Sequence, residues 1–189
     1  MHEMQRRSFL QLVLAALPSS LLAQTPDTAP RAKAIRVDAG KDREGQTRAI
    51  GISETTYKVL TQDTGGALFT LEQLNKKRGG PPRHLHYTQD EFWYVLEGEY
   101  LFEIGTERFH LKAGDCILGP RQVPHAWAFV GDSTGRVLIS FTPAGKMEAF
   151  FNSNYPPGNK PGPYSNAMSD AALVRSFGME PAGPPIKLD

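Results

Sequence analysis

Between residues 50 and 143 the chain is cut repeatedly into apolar-rich runs too short to be helices. Eight of them, at 57–61, 67–74, 91–96, 100–104, 108–111, 116–118, 125–130 and 136–142, are separated by Gly, Pro, Asp and Asn. Strands that follow one another this closely, with no helical stretch between them, pair antiparallel in a sandwich or barrel; βαβ units need a helix after each strand. The fold class this predicts is mainly β. Glu97-Gly98 between two apolar runs reads as a tight hairpin turn. After Pro143 the spacing becomes helical at 146–151 and 169–177, with Ser169 as N-cap and Gly178 as stop. The Pro/Gly-rich stretch 152–163 between them either lids the barrel mouth or only connects the two helices. There is no internal repeat, so one barrel at 50–150 is expected, with a C-terminal loop and helix at 151–189.

The first 23 residues follow a different logic. Arg6-Arg7 precedes an apolar stretch over 9–23 that ends in Leu21-Leu22-Ala23, the order of a signal peptide. Fifteen residues at about 1.5 Å each do not cross a hydrocarbon core of about 30 Å, which disfavours a retained membrane anchor. Arg6-Arg7-Ser8-Phe9-Leu10 resembles the twin-arginine signal, which exports folded proteins and implies a periplasmic location; a general secretory signal is the alternative. Residues 24–49 are then a spacer and N-terminal segment. Cleavage after Ala23 removes Arg6, Arg7 and Glu3 and turns 21 basic and 20 acidic residues into 19 of each. So balanced a surface, with no basic run, excludes nucleic acid as an expected partner. Cys116 is the only cysteine, so no intramolecular disulfide forms, and its apolar neighbours predict a small buried hydrophobe.

Beyond the leader stand four histidines, and three of them fall in ordered surroundings. Gly79-Gly80-Pro81-Pro82-Arg83-His84-Leu85-His86 continues to Glu91 and Gly98. Residues two apart on a strand share a face, so His84 and His86 offer their imidazoles to one point. Glu91, at an odd offset, reaches that point only if residues 87–90 reverse the chain and return it on the neighbouring strand. A second segment, Gly114, Pro120, then Val123-Pro124-His125, delivers a third imidazole. Three neutral nitrogens and a carboxylate suit a divalent first-row ion, with Fe, Mn, Ni, Cu and Zn all compatible. An octahedral ion held by four protein groups keeps two positions for substrate, oxygen or water. His110, in Phe109-His110-Leu111, lacks such partners and reads as a surface or core-edge histidine.

These two segments resemble the two motifs of the cupins: glycine, His-x-His, glutamate, glycine; then glycine, proline, histidine. The resemblance covers about residues 50–150 and implies a small jelly-roll barrel with His84, His86, Glu91 and His125 as metal ligands. Asp63-Thr64-Gly65-Gly66, the run from Asp90 to Gly98, Thr142-Pro143-Ala144-Gly145 and residues 178–185 are similar to single-domain cupins described as quercetin dioxygenase-like. Two positions depart from the second motif: Gln122 stands where glycine is usual and Phe129 where asparagine is common. By strand parity Phe129 shares a face with His125 and Trp127. With Trp93 these aromatics either line a pocket for a flat hydrophobic or flavonoid-like molecule, or simply fill the barrel.

The strand from Glu91 is apolar on both faces, Trp93 and Val95 against Phe92, Tyr94 and Leu96. Its outer face is expected to lie under the C-terminal helices or a second subunit, which makes a homodimer an expected state. The resemblance implies a metal-dependent dioxygenase with Glu91 as ligand and proton acceptor. Two other functions fit the same residues: a non-catalytic protein that holds a small ligand through its metal, and a metal-dependent isomerase, hydrolase or decarboxylase. If the twin-arginine reading holds, loading before export favours Mn, Fe or Ni over Cu.

Overall fold

The computed structural model describes residues 33–164, 168 and 170–188. The expected leader, residues 24–32 of the spacer and Ser169 lie outside the described residues. From Ala34 onward the chain forms one compact unit. Its elements begin with β1 (Arg48–Ile50), β2 (Ser53–Val59), a 3-10 turn (Thr61–Thr64), β3 (Phe69–Asn75) and β4 (Arg83–His86). There follow β5 (Asp90–Glu97), β6 (Glu99–Ile104), β7 (Glu107–Lys112), β8 (Cys116–Gly119), β9 (His125–Phe129) and β10 (Gly135–Thr142). Helices α1 (Met147–Asn154) and α2 (Ala171–Ser176) and a last strand, β11 (Met179–Gly183), complete the fold. No helix among the described residues is long and apolar enough to cross a membrane.

The strands form two antiparallel sheets, β1-β2-β3-β10-β5-β8 and β11-β4-β9-β6-β7, in a mainly β jelly roll. Burial alternates strictly along β10, one residue in and the next half out, as a sheet with one face on the core requires. β9 is buried at every position. Its inner face looks into the barrel, and its outer alanines, Ala126 and Ala128, lie under Ile186 of the C-terminal tail.

Glu97-Gly98 is not a hairpin turn. β5 pairs with β10 and β8, whereas β6 pairs with β7 and β9 in the other sheet. Gly98, at φ +79°, is therefore a corner where the chain changes sheets, and a Cβ there would lie 2.7 Å from the Thr134 carbonyl oxygen. A corner and a hairpin use the same turn chemistry, so local sequence does not separate them. The run expected at 57–61 lies earlier, as β2, and the chain turns at 61–64. β2 points Ser53, Thr55 and Tyr57 inward, and an apolar-period reading does not register the two hydroxyls. Ser53 Oγ donates to Asn75 Oδ1 and Asn75 Nδ2 to the Tyr100 hydroxyl (2.5 and 2.8 Å), so this polar cluster is hydrogen-bonded.

Upstream of β1, buried Asp42 clips the segment to β2. Its carboxylate accepts from Tyr57 N at 2.8 Å and from Arg48 Nη1 at 2.5 Å, and the Arg48 guanidinium lies 3.9 Å over the Tyr57 ring. At the other end, α1 buries Met147, Phe150 and Phe151. Phe151 meets Phe69 and Phe141 at 6.2 and 5.9 Å between ring centroids, which seats the helix on the barrel mouth. α2 is capped by Asp170, whose side chain accepts from Leu173 N at 3.0 Å. The cap is thus one residue later than Ser169. With both helices so placed, the outer face of β5 stays open: Tyr94, Leu96 and, on β8, Leu118 are 37%, 43% and 51% exposed. Cys116 lies on that face opposite Tyr94 and is exposed, which corrects the expectation of a buried thiol.

Candidate metal centre

His84 and His86 project from β4 into the barrel, and β4 lies beside β9 with His84 paired to His125. Glu91 does not return on a neighbouring strand. Residues 87–89 carry the chain across to the other sheet, and Glu91 faces the three imidazoles from the opposite wall. The four side chains are buried, and one ligand atom from each lies within 4.8 Å of the others. Glu91 Oε2 is the meeting point, 2.9 Å from His86 Nε2, 3.2 Å from His125 Nε2 and 4.0 Å from His84 Nε2.

The ring orientations are set by the backbone. His84 Nδ1 lies 2.9 Å from the Pro82 carbonyl and His125 Nδ1 3.0 Å from that of Val123, so each Nδ1–H donates outward and each Nε2 turns its lone pair inward. A neutral imidazole has one N–H. His125, with acceptors at both nitrogens, therefore places a lone pair against the Glu91 carboxylate unless a cation lies between them. Burial, with the His125 and His86 rings beside it, pushes His84 down to about 3, so a proton does not serve there. For Glu91, burial acts upward, but a hydrogen-bond proton or positive charge on the His125 and His86 side outweighs it and holds the acid at about 2, the same place a cation would take. Among the described residues no Lys or Arg pairs with Glu91. A buried anion facing three nitrogens is the donor set of a divalent first-row ion, and the residues fit one.

The loop before β9 holds its shape despite Gln122. That residue adopts φ +64°, the left-handed conformation a glycine takes without strain, at a cost of about 1 kcal/mol. Its backbone N–H donates to the His86 carbonyl at 2.7 Å, tying the loop to β4. Next to it, Arg121 grips Asp90 through two side-chain bonds of 3.0 and 2.7 Å and a backbone bond of 2.8 Å. Those hydrogen bonds hold Asp90 down at about 2 and pin the residue before Glu91 to the loop that delivers His125. The sequence reading missed this pair, because an Asp and an Arg 31 residues apart carry no local signal.

A cavity of about 40 Å³ adjoins the site, lined by His84, Glu91, Gln73, Trp127, Phe141 and the α1 aromatics, with Tyr155 and Tyr164 beyond. Of the three aromatics expected along the pocket, Trp127 lines it. Trp93 instead packs edge-on against the His125 ring, 5.2 Å between centroids. Phe129 lies farther down the barrel against Tyr100 at 5.4 Å and fills it. Strand parity put these rings inside but did not say at what depth. His110 is exposed, 3.2 Å from Glu99 and away from the cluster.

Residues 70–141 match the family model described as the cupin domain. An uncharacterized protein of Methanocaldococcus jannaschii is 37% identical over 60 residues, 32% of this chain and 48% of that protein. Polyketide synthase CurC of Streptomyces cyaneus is 28% identical over 109 residues, 57% of this chain and 65% of that protein. The chain thus spans about half to two thirds of these relatives. Among solved structures, an RmlC-like cupin from Shewanella frigidimarina is similar with a TM-score of 0.47 and 21% identity, over 62% of this chain and 99% of that one.

Proposed function

We propose that this chain, whose cupin-domain match and jelly roll support the cupin superfamily, is a metal-dependent dioxygenase of a compact oxygenated molecule. The observation that carries the reading is the convergence of three buried Nε2 atoms on one Glu91 oxygen at the edge of a small, mostly apolar cavity. A divalent ion held by His84, His86, Glu91 and His125 would supply Lewis acidity and a point of attachment for substrate or dioxygen. Glu91 stays ionised and borders the cavity, and it would take a substrate hydroxyl's proton only where the bound ion has first acidified that hydroxyl. Trp127, Phe141 and the α1 side chains exclude bulk water from that exchange. A cavity of about 40 Å³ holds roughly three water-sized groups, so a flavonoid-sized molecule enters only by displacing α1 side chains.

The test is an oxygen electrode. With Fe(II)- or Mn(II)-loaded protein and a panel of small phenols and enolisable ketones, one O₂ is consumed per product formed and no outside reductant is needed. Turnover without oxygen uptake would make the protein an isomerase, hydrolase or decarboxylase instead. Metal binding without any turnover would make it a ligand-binding barrel.

The open outer face of β5 and β8 supports a homodimer. Phe92, Tyr94, Leu96 and Leu118 form an apolar surface on the edge of a sheet, and a second copy covers it with the same residues about a two-fold axis. Light scattering is expected to give twice the chain mass. Leu118→Glu, which puts a charge in the centre of that surface, is expected to halve it with metal content unchanged. A monomeric wild-type protein removes the proposal.

A further inference from the structure

β3 turns Gln73 and Asn75 to the inside of the barrel, two residues apart on one face. Their surroundings differ. Asn75 is held by Ser53 and by the Tyr100 hydroxyl. Gln73 is 3% exposed, lines the same cavity as His84 and Glu91, and its Oε1 has no hydrogen-bond partner. Natural cores rarely keep a buried polar atom unpaired, because leucine of nearly the same volume would be more stable there. A side chain that stays polar at such a place is usually matched by something that binds.

We infer that Gln73 is a positioning residue for the ligand, reading a second polar group on a compact, largely apolar molecule whose other oxygen lies at the His84 and Glu91 end of the cavity. The cavity walls provide the rest of the recognition. Leu71, Ile139, Phe141, Met147 and Phe150 contribute only carbon or sulfur surface. Apart from the histidine–glutamate cluster and Gln73, only Trp127, Tyr155 and Tyr164 among the described lining residues carry a polar side-chain atom, so a ligand bearing polar groups all along its length would lose hydrogen bonds on entry. A primary amide both donates and accepts, so Gln73 accommodates a hydroxyl or a carbonyl but compensates no charge. The ligand class is therefore a small, uncharged molecule with two oxygens separated by an apolar bridge. Sugars carry too many hydroxyls, and dicarboxylates need a cation at Gln73 that the described lining residues do not supply. This inference rests on the metal reading of the site, and the measurement separates the two.

Co(II)-loaded wild-type protein is titrated with two-, three- and four-carbon α,ω-diols and the matching mono-alcohols, followed by the visible cobalt bands. At the chain length that spans the cavity, the diol is expected to bind about three- to tenfold tighter than its mono-alcohol, the size of one net hydrogen bond. Gln73→Leu should abolish that preference while keeping one equivalent of cobalt and an unchanged or higher melting temperature. Gln73→Glu, which retains an acceptor, should restore part of it. A preference that survives in Gln73→Leu, or none in the wild type at any length, overturns the role of Gln73 and leaves a bound water as its partner. Loss of cobalt or a lower melting temperature in Gln73→Leu makes the residue structural. A wild type that takes up no cobalt defeats the metal reading itself.

Discussion

Glu91→Gln is expected to keep a folded barrel and to lose the capacity to hold a divalent ion. The substitution preserves shape and removes the one negative charge that three buried imidazoles face. Glu91 Oε2 approaches all three Nε2 atoms, at 2.9, 3.2 and 4.0 Å, so no other single change touches every partner. Outer-shell changes at metal sites cost about 10- to 100-fold in affinity, and loss of a charged ligand exceeds that. The folded apoprotein tolerates the change, because an amide still exchanges hydrogen bonds with His86 and the buried charge is gone. In the wild type, an ion present at about a thousand times its dissociation constant stabilises by about 4 kcal/mol. For a domain of this size that is a melting-point difference on the order of 10 °C between loaded and chelated protein. Elemental analysis and melts with and without EDTA check both halves. One equivalent of metal in Glu91→Gln, with the wild-type response to chelator, would dismiss Glu91 as a ligand.

Much of this site was legible because its signals are local. His84 and His86 lie two apart on one strand, and proline and glycine punctuate the segments on either side, so a reading by period and turn chemistry finds them. Glu91 was legible as a partner but not in its route, since only the sheet assignment of β5 shows that it crosses the barrel. The same limit hid Gly98, which turns the chain into the other sheet. β11 was missed for another reason. Met-Glu-Pro-Ala-Gly has little strand propensity, and it pairs only because β4 offers an edge on which Pro181 forfeits no needed bond. Gln73 and the Asp90–Arg121 clamp carry no periodic signal. A glutamine in a strand usually faces solvent, and only the assembled barrel shows this one buried.

Gly80→Ala is expected to be the most destabilising single-methyl change in the barrel wall. Gly79 and Gly80 lay the chain against β9, where Gly79 N donates to the Phe129 carbonyl at 3.0 Å and Phe129 N to that of Gly79 at 2.9 Å. A Cβ on Gly80 would fall 1.7 Å from the Trp127 carbonyl oxygen and 2.7 Å from its carbon. Both are backbone atoms in the middle of a fully buried strand, so no side chain can swing aside. The segment must lift off β9, losing both hydrogen bonds, and His84 sits four residues downstream of the displacement. Overpacking and the two lost bonds together cost about 3–5 kcal/mol, a fall of roughly 10 °C or more in melting temperature. Gly65→Ala is the control. Its φ of +61° strains an alanine by about 1 kcal/mol, but a Cβ there meets nothing within 4 Å. Gly80 in the first glycine motif thus serves close backbone approach rather than turn conformation, and it ties metal affinity to packing. Gly80→Ala should bind metal more weakly even where it is still folded, whereas Gly65→Ala should bind it as the wild type does. Equal melting temperatures for the two variants, with equal metal content, would show that the approach of residue 80 to β9 does not hold the site together.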